Sequence, residues 1–179
     1  MLKFKYLFNN PDLALMLLKN WEFDAGSEAL FQHFRISANA IYPFRINGDL
    51  CFLRFCPLPE KNVESVQAEL AFLKFLNRQG YPALEILPSR TGAELVKKQT
   101  PWGEYVASVL KGVRGKQISQ TDFGSEIMIA YGAALGELHA ISTQYSNPGL
   151  MRWTHSDVFD WIEKTLRELG LDQKPLQEM

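Results

Sequence analysis

Two charged residues in this chain stand where charge is costly. Arg54 lies inside the apolar stretch of "GDLCFLRFCP" (48–57), and Glu69 lies inside "NVESVQAELAFLKFLNRQG" (62–80). If the first stretch is extended, its side chains alternate with period two, so Leu50, Phe52, Arg54 and Cys56 share one face. If the second is a helix, with Asn62 as cap and Gly80 as stop, its inward stripe is Val66, Leu70 and Leu73, flanked by Phe72 and Leu76. Glu69 falls on that stripe, three residues after Val66 and four before Leu73. A strand cation facing a carboxylate on the helix packed against it forms an ion pair in partly dry surroundings. Desolvating both charges costs several kcal/mol before their attraction offsets it. A structural pair is the plain reading. The sharper one is a binding site, because a rigidly held guanidinium offers two parallel N–H donors that suit phosphate oxygens.

The surrounding elements must position those two groups. Asn10 followed by Pro11 starts a helix that "LALMLLKNW" carries to about Trp21. Three β-type runs follow at 30–36, 40–46 and 50–56, joined by "SAN" and "NGD", and predict an antiparallel meander. Pro43 cannot donate to a ladder, so the middle strand requires a bulge or an outward-facing nitrogen. Residues 83–98 read as two short strands around a turn, and 104–110 as a strand ending at "KGVRG". A helix over 119–142 opens on the Ser119–Asp122 capping pattern and aligns Phe123, Ile127, Ala130, Ala134, Leu138 and Ile141. A last amphipathic helix over 155–170 is expected to bury Val158, Trp161, Ile162, Thr165, Leu166 and Leu169. The fold class is α+β, an antiparallel sheet of about five strands with a packed helix, followed by further helices.

Bulk properties narrow the partners. The 179 residues are 46% hydrophobic and 22% charged, with a net charge of -1, so no global field recruits nucleic acid or an anionic membrane. Small molecules are the expected partners. Cys51 and Cys56 fall on opposite faces of one strand, where they cannot easily bridge. His33, His139 and His155 show no metal-ligand spacing. The apolar uncharged runs 13–18 and 127–136 are shorter than the roughly 18–20 residues a membrane span requires. "MLKFKYLFNNPD" lacks the pattern of an export signal, so a reducing cytoplasm is the expected location.

Four stretches in order, "SANAIYPFRINGDLCFLRF", "AELAFLKFLNRQGYPALEILPS", "VLKGVRG" and "YGAALGELHAIS", resemble the amino-terminal lobe of the aminoglycoside phosphotransferase and choline kinase superfamily. The similarity is greatest to its homoserine kinase and spore-coat CotS-like bacterial branch, and covers about residues 30–165. The resemblance implies a protein kinase-like amino-terminal lobe over 1–112, and a hinge with the start of a helical carboxy-terminal lobe over 113–179. It implies that Arg54, where many members have lysine, meets nucleotide phosphates and that Glu69 orients it. Backbone groups of Lys111 and Val113 are expected at the edge of the base, Ile41 over one ring face, and Asn39 in the loop over the phosphates. That loop has no glycine-rich signature. The implied cofactor is ATP or GTP with Mg, and the implied acceptor in full-length members is a small molecule bearing a hydroxyl or amine.

Members of that superfamily transfer phosphate with a later His-Gly-Asp stretch, an Asn five residues beyond its Asp, and a further metal-binding Asp. "HSD" at 155–157 does not substitute, because Ile162 stands five residues after Asp157. "GVRGKQ" fails the Walker pattern, with Leu110 six before Lys116, where a glycine is required, and Gln117 after it. The expectation is therefore a nucleotide-binding part that ends before the catalytic loop and is inactive alone, with no catalytic residues or metal ligands of its own. The alternative is a non-catalytic module that dimerises or docks a partner through the uncovered stripe of helix 155–170.

Overall fold

The computed structural model describes Tyr6 and residues 8–115, 124–150 and 154–169. The chain divides into two compact units, Met1–Gly149 and Leu150–Met179. The first holds helix α1 (Pro11–Leu18), a 3-10 helix (Ser27–His33), strands β1 (Arg35–Ile36), β2 (Ala40–Ile46) and β3 (Asp49–Pro57), helix α2 (Val63–Arg78), strands β4 (Ile86–Leu87), β5 (Val96–Thr100) and β6 (Gly103–Lys111), and helix α3 (Ser125–Ser142). The second holds α4 (His155–Glu168).

All six strands form one antiparallel sheet in the order β1-β2-β3-β6-β4, with β5 on the same side of β6 as β4. Alternation assigns its two faces different tasks. The back face carries Tyr42, Phe44, Cys51, Leu53, Phe55, Ala107 and Val109, all buried, and packs against Leu13, Ala14, Leu17 and Leu18 of α1 with Trp21 and Phe31. The front face carries Cys56 and Val106, which pack against Val66 of α2, and leaves Ile41, Pro43, Phe52 and Arg54 to line a cleft.

Local chemistry explains why these residues fold this way. The Leu13 N–H donates to Asn10 Oδ1 at 3.0 Å, and Pro11 occupies the first turn, as the sequence predicts for a helix start. The β2–β3 connection puts Asn47 at φ 51 and Gly48 at φ 81, the two left-handed residues of a tight hairpin turn. The Asp24 carboxylate accepts from both of their N–H groups at 2.8 Å. Pro43 is accommodated in a regular strand. The Arg45 N–H points to the edge away from β3, where it donates to Ser27 Oγ, and Pro43, two residues earlier, turns its nitrogen the same way.

Several expectations are corrected. The run 30–36 is mostly the 3-10 helix, and only Arg35–Ile36 is strand. The reason is that Ser27 and Asp24 already occupy the β2 edge at Arg45, so pairing begins only further along, while Phe31 turns in against Tyr42 with ring centroids 5.3 Å apart. Helix α1 stops at Leu18, short of Trp21, because the chain bends to bring the Trp21 indole under β4, where Nε1 donates to the Leu87 carbonyl at 3.0 Å. Helix α3 is capped by Gly124 and buries no residue completely; Ile127, Leu138 and Ile141 of its expected face are half-buried, whereas Ala130 and Ala134 are exposed. The Ser119–Asp122 capping pattern lies outside the described residues. Helix α4 starts with a Thr154–Asp157 capping box, and its stripe is not buried: Val158, Trp161, Ile162 and Leu169 are exposed and only Thr165 and Leu166 are half-covered. Cys51 and Cys56 are buried free thiols.

Because Leu17 is fully buried between α1 and the sheet, Leu17→Ala is expected to lower the unfolding free energy by about 2–5 kcal/mol in urea titration. A loss below about 1 kcal/mol would show that α1 is not integral to the sheet's core.

Candidate functional site

The register of the sheet builds the site in rows. Arg35 pairs with Ile41, Ile41 with Arg54, and Arg54 with Ser108, so these four residues form one row on the front face. The next row on that face runs Pro43, Phe52, Leu110 and Ile86. Most of these side chains floor a cleft of about 730 Å³ that Val113, Arg114, Leu84 and His33 also line. Its floor is apolar under the second row and cationic at the first.

Behind Arg54 stands its counter-charge. The Arg54 guanidinium donates through Nη2 to Glu69 Oε2, and Lys61 Nζ pairs with Glu69 Oε1. All three side chains are substantially withdrawn from water, at 16% exposure for Arg54, 18% for Lys61 and 32% for Glu69. Burial pushes the Glu69 carboxyl up, but the hydrogen bonds and charges of Lys61 and Arg54 outweigh it and hold its pKa below the ordinary carboxylate value. Burial likewise pushes the neighbouring Cys56 thiol up, here against the pull of Lys61 and Arg54, which favours its neutral form in the cluster with Val66 and Val106. Two cations share one carboxylate, leaving a surplus positive charge at the head of the cleft.

The segment before α2 delivers Lys61. A tight turn follows β3, with the Glu60 N–H bonded to the Pro57 carbonyl at 3.0 Å and the Lys61 N–H to the Leu58 carbonyl at 3.3 Å. Asn62 then caps α2 by accepting from the Ser65 N–H at 2.8 Å. Lys61 escaped the sequence reading because it belongs to no periodic element. Its position directly before the cap was the only sign that it faces α2.

The other expected residues divide. Ile41, Arg54 and Val113 line the cleft, and Glu69 grips Arg54. Asn39 is not among the cleft-lining residues; it sits in the β1–β2 turn, where its carbonyl accepts the Ser37 N–H at 3.0 Å. Lys111 stands at the end of β6 on the back row with Phe44 and Cys51; its N–H donates to the Glu85 carbonyl at 2.9 Å and its ammonium lies 3.4 Å from Asp49. The chain next passes close to β3, where the Gly112 N–H donates to the Leu50 carbonyl at 2.8 Å and a Cβ on Gly112 would come within 2.6 Å of that oxygen. Val113, 75% exposed, follows at the cleft mouth. Among the described residues no three His, Cys, Asp or Glu side chains converge as metal ligands.

A six-stranded antiparallel sheet, a front-face helix supplying a carboxylate to a strand cation, and a glycine-bearing exit strand define a kinase-like amino-terminal lobe. The profile of the phosphotransferase enzyme family (APH) matches residues 43–178, and the chain belongs to that family. Among solved structures it is similar to an amicoumacin kinase in complex with AMP-PNP, Ca2+ and Ami, with a TM-score of 0.68 at 16% identity over 86% of this chain and 46% of that one. It is also similar to a microcompartment-associated aminopropanol kinase, with a TM-score of 0.63 at 17% identity over 82% and 45%. The chain thus spans a little under half the length of these structures. No curated protein matches it.

The lowered pKa of Glu69 fixes the sign of a pH effect. Its contribution to stability is complete above the unfolded carboxylate value of about 4.3 and is lost as pH falls through the lower folded value. In chemical denaturation, the stability gap between the wild type and Glu69→Gln is expected to shrink from about pH 6 to about pH 3. A gap that stays constant across that range contradicts the ion-pair assignment.

Proposed function

We propose that this chain is the nucleotide-binding part of an ATP- or GTP-dependent small-molecule kinase. The observation that supports this most directly is the Arg54–Glu69–Lys61 cluster at the head of an apolar cleft that ends at a glycine-bearing hinge. The donor set fits a nucleotide. Ile41, Phe52 and Leu110 supply the flat apolar surfaces a purine requires, and Arg54 supplies a fixed cation for the phosphates. The Lys111 N–H is already bonded to Glu85 and the Gly112 N–H to Leu50, which leaves the Lys111 carbonyl and the Val113 N–H to meet the base edge. Asn39 would act from the turn above the phosphates. In this reading residues 1–112 form the amino-terminal lobe and 113–179 the hinge and the beginning of the helical lobe.

Mg would enter with the nucleotide and neutralise phosphate charge. The 179 residues contain no His-Gly-Asp stretch, so the chain on its own is proposed to bind nucleotide without transferring phosphate. The acceptor would carry a hydroxyl or amine, in keeping with an amino alcohol in the name of one structural neighbour.

Calorimetric titration with Mg-AMP-PNP is expected to give saturable binding that Arg54→Met weakens by at least about tenfold. No heat at millimolar nucleotide, with the protein shown to be folded, would refute the assignment.

The exposed side chains of Val158, Trp161 and Ile162 on α4 favour a second reading, in which this helix pairs with a second copy and the chain serves as a non-catalytic module. Sedimentation decides it: a concentration-dependent dimer supports the module, and a monomer at high micromolar concentration removes it.

A further inference from the structure

The front row of the sheet holds a second arginine that the assignment above leaves without a task. Arg35 on β1 stands directly opposite Ile41, and Ile41 directly opposite Arg54, so both guanidinium groups rise from the same face with one apolar residue between them. Neighbouring strands lie about 4.8 Å apart, which places the two backbone positions about 10 Å apart. Both residues line the same cleft. Their circumstances differ. Arg54 is withdrawn from water and bound to Glu69, whereas Arg35 is exposed and makes no ion pair among the described residues.

The turn between them shows why a second cation is needed. A phosphate cradle built from backbone uses successive N–H groups turned inward by left-handed residues, usually glycine. Ser37, Ala38 and Asn39 contain no glycine, and none of them has a positive φ. The Ser37 N–H is already bonded to the Asn39 carbonyl. This turn therefore lacks the geometry of a backbone cradle, and the charge it fails to supply is present on the adjacent strand.

We propose that Arg35 is a second polyphosphate-binding residue, acting with Arg54 to clamp a nucleotide triphosphate across Ile41 in place of a glycine-rich loop. The inference rests on the nucleotide reading above and assigns a residue to it. The guanidinium of Arg35 donates to non-bridging phosphate oxygens beyond those reached by Arg54, as charge-assisted bonds. Because Arg35 is exposed and has no ion pair with any described residue, recruiting it breaks none among them. Arg54, by contrast, must keep Glu69 satisfied.

The test compares ligands that share a base and differ in phosphates. Calorimetry at fixed ionic strength is run with adenosine and with Mg-AMP-PNP, on the wild type, Arg35→Gln and Arg35→Lys. Arg35→Gln is expected to weaken AMP-PNP about tenfold or more while adenosine changes by less than about twofold, and Arg35→Lys to restore part of the loss. Equal weakening of both ligands would assign Arg35 to the base, and no change in either would make it a surface residue; each overturns the proposal while nucleotide binding stands. A folded wild type that binds neither ligand refutes the nucleotide reading itself, and this inference falls with it.

Discussion

A half-buried carboxylate with two cations on it constrains the whole front of the sheet. Glu69 is withdrawn far enough from water that leaving it unpaired would be costly, and neither partner comes from its own helix. Arg54 reaches it from β3 and Lys61 from the turn between β3 and α2. Three things must hold together: the register of β3, the five-residue turn that ends at the Asn62 cap, and the rotation of α2. Slipping β3 by one residue would turn Arg54 onto the back face, against Tyr42 of β2 and Ala107 and Val109 of β6, and away from Glu69. The electrostatic demand of one side chain thus adds to the hydrophobic pattern in fixing a single register.

The two faces of the sheet are packed differently. The back face is filled by α1, Trp21 and the aromatic group of Phe31, Phe34, Tyr42, Phe55 and Tyr105, whose rings contact one another at centroid distances of 5.3 to 6.0 Å. The polar groups in this layer are satisfied: the Tyr42 hydroxyl donates to Asn9 Oδ1 and accepts from the Asn10 N–H, which ties the start of α1 to the centre of β2. With so much apolar area committed behind it, the front face can carry an open cleft and a surplus cation without depending on them for its stability. Strands of this kind hold side chains more rigidly than loops, so Arg54 and Ile41 are presented in fixed positions.

What could be read from the sequence follows the range of the interactions involved. The Asn10–Pro11 start, the Asn47–Gly48 hairpin and the Asn62 cap are local chemistry, and each is found where the residues place it. The Arg54–Glu69 pair was also legible, because two independent periodicities, one of a strand and one of a helix, pointed both residues inward. The segment 30–36 has a strand's composition but not its fold, because its fate depends on Ser27 and Asp24 filling the β2 edge, with Ser27 reaching across 18 residues in a contact that no local pattern encodes. Lys61 is not legible for a related reason: it lies in a turn, and its partner is chosen by where that turn ends. The inward stripe of α4 was a valid amphipathic pattern, but a pattern of that kind specifies that a face seeks cover and says nothing of what provides it.

The choice of arginine at position 54 has a consequence in such a cluster. A lysine ammonium is a point charge, and sharing it between a carboxylate and a phosphate divides a single centre. A guanidinium is a planar fork with five N–H donors; Arg54 engages Glu69 through Nη2, and its remaining donors face other directions. In the proposed nucleotide reading, Arg54 can therefore keep its carboxylate while reaching for an anion. Lys61 strengthens that arrangement, because Glu69 has a second partner on its other oxygen and stays neutralised if Arg54 shifts toward the cleft. A single cation on Glu69 would have to be surrendered by one anion to serve the other. Two cations on one carboxylate leave the cluster with charge to spare, and the row of the sheet on which Arg54 stands directs that charge into the cleft.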